Sequence, residues 1–346
     1  MASAFSHPSS PAPNARLHRW LPRVWLSRGP AAWALRPVAA AYGLLMRLRQ
    51  LAYRLHWFKS TRLPVRVIVV GNVVAGGAGK TPVTQALVEH LKLRQQSVGI
   101  VSRGHGRQNQ DILAVQTDSL AKDVGDEPLL LARNTGVPVF VGTQRSEAAQ
   151  ALLAQHPHTH IIVCDDGLQH LALARDLEVL VMDERGIGNG WLLPAGPLRE
   201  PWPRKADMLL YSGSCPAGTP APCFAMARRL APYALNAAGE QTPLQSLKTR
   251  PVHALAGIAK PETFFDMLRT QGLQLEHTQA WPDHADFIHW QPPQDGAVVL
   301  CTEKDAVKLW PQHPQVLAVP LQLDLPLAFT KALDQWLTPR SASEPL

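Results

Sequence analysis

An α/β fold with a mostly parallel sheet follows from three features of the chain. An apolar, β-branched run, Val67-Ile-Val-Val70, leads into glycines and then Gly79-Lys80-Thr81, which opens a helix. From Arg66 to Asp183 short apolar runs alternate with segments of helical periodicity. The polar motifs fall directly after the apolar runs, and in parallel sheets ligands collect at the carboxyl ends of the strands. In order, a strand is expected at Val67–Val70 and a helix from Pro82 to Leu93, where Val83, Leu87, Val88 and Leu91 recur at helical spacing. Ser97–Val101 is a second strand, ending in Ser102-Arg-Gly-His-Gly-Arg107. Gly125-Asp-Glu-Pro128 precedes a helix from Leu129 to Thr135, then come a strand at Val137–Val141 and a helix from Ser146 to Gln155. Ile161–Cys164 is a strand ending in Asp165-Asp-Gly-Leu-Gln-His170, and Glu178–Met182 is another, followed by Asp183. From Trp202 to Pro251 proline is frequent and periodicity fades, which reads as a connection between lobes. A smaller α/β lobe follows: Ala254–Ala256, a helix from Pro261 to Thr270, a turn and strand within Asp295–Asp305, and a last helix from Phe329 to Leu337. The division expected is a loose arm at 1–30, an amphipathic helix at 31–60, a nucleotide-binding domain at 61–225 and a C-terminal lobe at 226–346.

The segment Gly71–Pro82 has the chemistry of a phosphate loop. Glycine lets the backbone curl so that successive N–H groups point inward at phosphate oxygens. Gly76, Gly77, Ala78 and Gly79 form that curl, and the helix N-terminus adds partial positive charge. Lys80 is expected to reach the β- and γ-phosphates and the Thr81 hydroxyl to hold Mg²⁺. The strict pattern wants glycine five residues before Gly79, and Val74 stands there.

Composition excludes several classes. Hydrophobic residues make up 46% of 346, which describes a globular chain with room for two domains. The four cysteines, Cys164, Cys215, Cys223 and Cys301, have no metal spacing and suit a reducing compartment. The net charge of +7 hides an asymmetry: the first acid is Glu89, and twelve Lys or Arg precede it. The rest of the chain carries 22 of the 34 bases against all 27 acids. A basic N-terminus suggests an anionic surface, either nucleic acid or lipid, and composition favours lipid. Ala31 to Phe58 reads as a helix bent at Pro37, with Leu44, Leu45, Leu48, Leu51, Ala52, Leu55 and Phe58 at helical spacing. Arg47, Arg49 and Arg54 interleave, and Trp33, Tyr42 and Trp57 suit headgroup depth. Arg36-Pro37 interrupts any run of about 18 apolar residues, so the segment is expected to dock and not to cross. It is also a poor signal peptide. Packing on the protein's own core is the competing reading of this helix.

Asp165 and Asp166 end a buried strand, where a phosphate-loop enzyme places the carboxylate that holds Mg²⁺; adjacent acids there also form turns or caps. Asp126 and Glu127 by themselves read as a helix cap, and His284 as one surface histidine among fourteen. Arg199, in Pro194-Ala-Gly-Pro-Leu-Arg-Glu-Pro201, offers a guanidinium from a rigid turn. Arg103 and Arg107 sit in a glycine-rich loop fit for an anionic substrate.

Seven blocks occur in order: Gly71–Pro82, Ser102–Gly106, Gly125–Pro128, Asp165–His170, Pro194–Pro201, Pro282–His284 and Thr302–Asp305. Their sequence and order resemble the tetraacyldisaccharide 4′-kinases, the lipid A 4′-kinases of Gram-negative bacteria, from about residue 40 to 337. That family's loop carries the double glycine, which accounts for Val74. The resemblance implies ATP- and Mg²⁺-dependent phosphoryl transfer to the 4′-hydroxyl of an acylated glucosamine disaccharide 1-phosphate. It implies work at the cytoplasmic face of the inner membrane, as a peripheral or monotopic protein with no nucleic-acid partner. By motif match Asp126 and His284 form the catalytic pair, with Asp126 taking the hydroxyl proton directly or with His284 as its partner. Asp165 and Asp166 organise Mg²⁺, Arg199 contacts nucleotide phosphate, and Arg103, Arg107, Gln169 and His170 face the substrate.

Two other classes compete. A GTPase switch or metallochaperone would want Asn/Thr-Lys-x-Asp, whereas in Thr302-Glu-Lys-Asp305 the lysine and aspartate are adjacent. A nucleic-acid-binding ATPase would interleave aromatics with a basic sheet face, and here they lie in the apolar helix.

Overall fold

The computed structural model describes residues 21 and 23–338. Its larger sheet has eight strands: β1 (Arg66–Gly71), β2 (Val98–Ser102), β3 (Leu113–Ala114), β4 (Val139–Val141), β5 (Ile161–Asp165), β6 (Leu177–Met182), β7 (Met208–Tyr211) and β8 (Cys223–Ala225). Their spatial order is β3-β4-β2-β5-β1-β6-β7-β8, and only the β3–β4 pairing is antiparallel. The strand that feeds the phosphate loop therefore lies between β5 and β6. Its run is continuously apolar because helices cover both faces. Ile68 and Val70 pack with Val83, Leu87, Val88 and Leu91 of the Lys80–Leu93 helix. Val67 and Val69 face the other way, toward Ala148, Ala149 and Leu152 of the Arg145–Gln155 helix.

The second lobe begins with β9 (Ala227–Leu230), β10 (Tyr233–Leu235) and β11 (Gln241–Pro243). It continues through β12 (Val252–Ala256), the Pro261–Thr270 helix, β13 (Leu275–Ala280), β14 (Val298–Thr302), the Glu303–Leu309 helix, β15 (Leu317–Val319) and β16 (Leu321–Asp324). Six strands form a sheet in the order β11-β10-β15-β14-β12-β13, and β9 pairs with β16 as a separate ribbon. The expected connection at 202–251 is thus corrected: it contains β7 and β8, which extend the larger sheet, and β9 to β11. These strands are three or four residues long and, apart from the mostly buried β7, partly exposed, so no periodicity marks them.

The Leu327–Leu337 helix returns to the first lobe. Phe329 and Leu333 are fully buried in the core with Ile68 and Val70. Arg66 donates to the Trp336 and Leu337 carbonyls at 3.2 and 2.9 Å. The chain division expected at residue 226 therefore does not follow the core, because the last helix of the presumed C-terminal lobe completes the first.

At the N-terminus, the Pro30–Ala34 and Arg36–Arg54 helices meet at Leu35, beside the expected bend. The longer helix packs through small residues, Ala39, Gly43 and Ala52. A Cβ at Gly43 would lie 2.7 Å from Leu192 Cδ1. Leu44, Leu45, Leu48, Leu51, Leu55, Trp57 and Phe58 are exposed. The large apolar side chains thus point away from the protein's own core. The described part of the presumed loose arm is also corrected. Val24 is buried, Trp25 Nε1 donates to the Pro194 carbonyl at 3.0 Å, and Arg28 Nε donates to that of Asn189 at 3.0 Å. The remainder, residues 1–20 and 22, lies outside the described residues.

Replacing Phe329 with Ala is expected to cost about 3–5 kcal/mol, the usual penalty for emptying a buried aromatic site. Guanidinium unfolding of the intact chain reads this, and a loss under about 1 kcal/mol would show that the last helix does not belong to the first core.

Candidate active site

The carboxyl ends of β1, β2, β5 and β6 and those of β12, β13 and β14 supply the polar groups of one cleft. The phosphate loop leaves β1 with Asn72 fully buried. Asn72 Nδ2 donates to the Val74 carbonyl at 2.6 Å and to that of Gly76 at 3.5 Å. Val74 bridges to Leu198, Ala75 N donates to the Pro197 carbonyl at 2.8 Å, and Arg199 N donates to that of Val73 at 2.7 Å. An extended, paired residue needs no glycine, which explains the valine physically. The positive-φ positions come later: Gly76 has φ 91°, and Gly79 has φ 79° and caps the Lys80–Leu93 helix. Arg185 clasps the loop from β6, donating from Nη1 and Nη2 to the Ala75 and Gly77 carbonyls at 3.2 and 2.9 Å.

Lys80 Nζ lies 3.3 Å from Asn72 Oδ1 and 3.5 Å from Asp166 Oδ1. Arg199 Nη1 reaches the same Asp166 oxygen at 3.3 Å. Asp165 is buried; its Oδ1 accepts from Thr84 Oγ1 at 2.7 Å and its Oδ2 from Thr81 Oγ1 at 3.4 Å. The two acids are driven apart electrostatically. Burial, with the charge of Glu127, pushes Asp165 up to about 7. Burial alone would raise Asp166 too, but the charges of Lys80, Arg199 and Arg145 outweigh it and hold Asp166 low. A buried carboxylate short of cations, beside a hydroxyl and a second carboxylate, is a donor set that fits a hard divalent cation.

Asp126 opens the Asp126–Thr135 helix behind Gly125, whose φ is 94°. A Cβ on Gly125 would come within 3.0 Å of Gly104 Cα. The two glycine loops therefore touch backbone to backbone, and His105 comes to rest with its ring 5.1 Å from that of His284. His284 Nδ1 lies 3.2 and 3.1 Å from the two Asp126 oxygens, across 158 positions of sequence. Lys308 Nζ is 3.4 Å from Asp126 Oδ2 and Lys304 Nζ is 3.8 Å away. Burial would raise the pKa of Asp126; the His284 hydrogen bond and the Lys304, His284 and Lys308 charges reverse this and hold it below the usual carboxylate range. His284 is raised by its bond to Asp126. Its φ of 63° lies in the left-handed region, uncommon outside glycine.

The structure therefore joins Lys80, Thr81, Asp165, Asp166 and Arg199 in one connected set and pairs Asp126 with His284. The residues expected to face substrate divide. Arg103 is exposed. Arg107 departs from the expectation: its guanidinium turns back to the Asp111 carbonyl of its own loop. Gln169 braces the loop, donating to the Asn72 carbonyl at 3.2 Å and to Glu200 Oε1 at 2.9 Å. His170 is pushed down to about 4 by burial and by Arg145, Arg175, Arg49 and Arg103, and among the described residues its buried Nε2 has no hydrogen-bond partner. Sequence reading missed Asn72, Arg185, Arg228, Lys260, Lys304 and Lys308 as site residues. Lys260 Nζ bonds Asp183 at 3.0 Å and Glu184 at 2.8 Å, and Arg228 bonds Glu184 at 3.0 Å. A Cβ on Gly79 would lie 3.1 Å from Arg228 Nη1, so this cation hangs over the phosphate loop. Only Asn72 and Lys304 carried a signal, each inside a recognised block.

The sequence model of the family LpxK, tetraacyldisaccharide-1-P 4′-kinase, matches residues 31–338. The tetraacyldisaccharide 4′-kinase of Acidovorax ebreus (strain TPSY) is 56% identical over 337 residues, 97% of this chain and 98% of that protein. That of Delftia acidovorans is 54% identical over 331 residues, covering 95% of this chain and 97% of the relative. A crystal structure of the apo form of LpxK from Aquifex aeolicus in complex with ATP aligns with a TM-score of 0.79 at 30% identity, over 89% of this chain and 100% of that one. A match across both lobes, at this identity and with the motif blocks gathered in one cleft, means that the chain belongs to the tetraacyldisaccharide-1-P 4′-kinase family.

Proposed function

We infer that the protein is a lipid-sugar kinase, transferring the γ-phosphoryl group of ATP to the 4′-hydroxyl of a tetraacyl glucosamine disaccharide 1-phosphate to give lipid IVA. The observation that carries the chemistry is the pair of buried Asp126 and half-buried His284, whose neighbour Glu127 contributes to raising Asp165 at the phosphate loop. A sugar hydroxyl is a weak nucleophile, and positioning with charge neutralisation supplies most of the catalysis of phosphoryl transfer. Asp126 is ionised at neutral pH and accepts the hydroxyl proton. The freed oxygen bonds to the γ-phosphorus, the bond from phosphorus to the β,γ-bridging oxygen breaks, and ADP leaves. Lys80 and the loop amides bind the β- and γ-phosphates, and Arg199 adds charge at the same end. Thr81, Asp165 and Asp166 would hold Mg²⁺, which when bound neutralises charge on the phosphates.

The exposed leucines of the Arg36–Arg54 helix, flanked by Arg47 and Arg54, suit insertion into an anionic leaflet. Among the described residues no helix is long and apolar enough to cross a membrane. The reading is of a peripheral or monotopic protein at the cytoplasmic face of the inner membrane, where dissolved ATP meets a head group held in the bilayer. The GTPase alternative finds no support: Asp305 is buried and accepts from Gly257 N at 2.9 Å and Thr302 Oγ1 at 2.7 Å, which turns it away from any base.

Three measurements test this. Lys80→Ala should lower kcat by about 10²–10³ in an assay of ATP-dependent phosphorylation of the disaccharide lipid. A folded variant with more than half the wild-type rate would remove the loop from the mechanism. Asp126→Ala and His284→Ala should be strongly non-additive, the double variant little slower than the poorer single one. Multiplicative losses would mean that the two act separately. Replacing Leu45 and Leu48 with Asp should abolish flotation with anionic liposomes, and unchanged flotation would put the anchor elsewhere.

A further inference from the structure

We propose that Lys304 is a positioning residue that locks His284 in the tautomer with its proton on Nδ1. This rests on the reading of Asp126 and His284 as the catalytic pair. The two ring nitrogens of His284 meet opposite partners. Nδ1 faces the Asp126 carboxylate at 3.1 Å, and Nε2 faces the Lys304 ammonium at 3.3 Å. A carboxylate is an acceptor and an ammonium has only donors. Both contacts are satisfied together only when Nδ1 carries the hydrogen and Nε2 offers its lone pair. The reverse tautomer sets a bare nitrogen against a carboxylate and an N–H against an ammonium, which breaks both bonds.

Lys304 is itself held for this task. Its Nζ lies 3.0 Å from Asp283 Oδ1 and 3.4 Å from Glu127 Oε1, and its side chain is mostly buried. Burial alone would favour the neutral amine, but Glu127, Asp126 and Asp283 raise the ammonium's pKa above its ordinary value. It projects from the first turns of the Glu303–Leu309 helix, whose start is fixed by the Thr302 side chain accepting from Asp305 N. Lys308, one turn on, faces Asp126 at 3.4 Å, Asp305 at 3.9 Å and the Phe287 ring at 5.2 Å, and does not touch the imidazole. Among the described residues the only carboxylate within 4.0 Å of Nε2 is Asp283, at 3.8 Å, and its Oδ1 is the atom that already accepts from Lys304.

The consequence is a division of labour within the pair. With Nε2 covered by an ammonium, the imidazole has no free nitrogen for the substrate hydroxyl. His284 orients Asp126 and feeds it a hydrogen bond, while Asp126 alone has an oxygen lone pair left to receive the proton. Orientation by a neighbour that fixes the tautomer is worth far more than its own contact energy, because the wrong tautomer presents the wrong atom.

The test is a long-range ¹H–¹⁵N correlation spectrum of the full chain with ¹⁵N-labelled histidine at neutral pH, with the His284 signals assigned by their loss in His284→Asn. A protonated Nδ1 and a bare Nε2 are expected in the wild type. A neutral ring protonated on Nε2, or a doubly protonated imidazolium, overturns the proposal. Lys304→Met should convert the signal to the other tautomer or to a mixture. It should lower kcat about ten- to hundredfold, leave the KM for ATP within about twofold, and be partly rescued in Lys304→Arg. Retention of both kcat and the wild-type tautomer in Lys304→Met overturns the proposal. Should Lys304→Met fail to fold, the wild-type spectrum alone decides. The parent reading fails by a different result, full activity of His284→Asn, which leaves the spectrum of the wild type unaffected.

Discussion

A carboxylate buried between two lobes constrains the whole molecule. Asp126 is 5% exposed and charged, and an unpaired charge in that position is prohibitive. Its own lobe gives it one backbone contact, from Glu127 N at 3.2 Å. Among the described residues, every cation or imidazole that compensates it, His284, Lys304 and Lys308, comes from the other lobe. The cleft is therefore assembled and electrically balanced by the same contacts. The two lobes are further tied where β9 and β16 cross between them as a ribbon and where the last helix returns to the first core. Chain connectivity thus holds the lobes in register, and Asp126 supplies the interaction that rewards that register.

The loop at Gly71–Thr81 shows how a motif can vary while its geometry is kept. A loop that binds phosphate must hold several carbonyls away from the ligand so that the amides face it. Here side chains hold them: Asn72 takes those of Val74 and Gly76, and Arg185 takes those of Ala75 and Gly77. With the carbonyls pinned from outside, the position of Val74 is ordinary extended backbone bridged to Leu198. Left-handed backbone is needed at Gly76 and Gly79, and glycine is found at both. This bracing explains why Asn72 and Glu200 are buried, with Gln169 half-buried between them, around an otherwise open loop.

The central architecture was legible because burial on both faces leaves unmistakable apolar runs. Five strands of the larger sheet and the three helices after Lys80, Asp126 and Arg145 lie within a few residues of their expected places. What was not legible has a common cause. β8, β9, β11 and β13 are short or exposed, so they carry no alternation, and Leu275–Ala280 reads as polar although it pairs with β12 along its length. The cations around the cleft were equally silent. Arg228 and Lys260 converge from separate segments on Asp183 and Glu184, beside Arg185 of the same turn, and nothing in one dimension predicts that meeting. Lys304 was visible, inside a block first compared with a base-reading motif; its role emerges only from its contact with His284. Asp126 and His284 each looked ordinary alone, and the resemblance of the ordered blocks was what joined them.

The N-terminal helix turns the usual amphipathic logic inside out. Its small residues face the protein and its leucines face away, so close packing is achieved by Ala39, Gly43 and Ala52 while the large side chains remain available. The attachment is specific. Tyr42 donates to the Arg199 carbonyl at 2.8 Å, the Arg199 amide donates to Val73 in the phosphate loop, and the Arg199 guanidinium pairs with Asp166. One residue thus touches the leucine-bearing helix with its carbonyl, the phosphate loop with its amide and Asp166 with its side chain. A hydroxyl fixed at a set height in a leaflet can be reached only if the γ-phosphate is held at a matching height. On the proposed reading the backbone of Arg199 would provide that fixed distance, because hydrogen bonds at both its ends leave little freedom between the leucine-bearing helix and the phosphate loop.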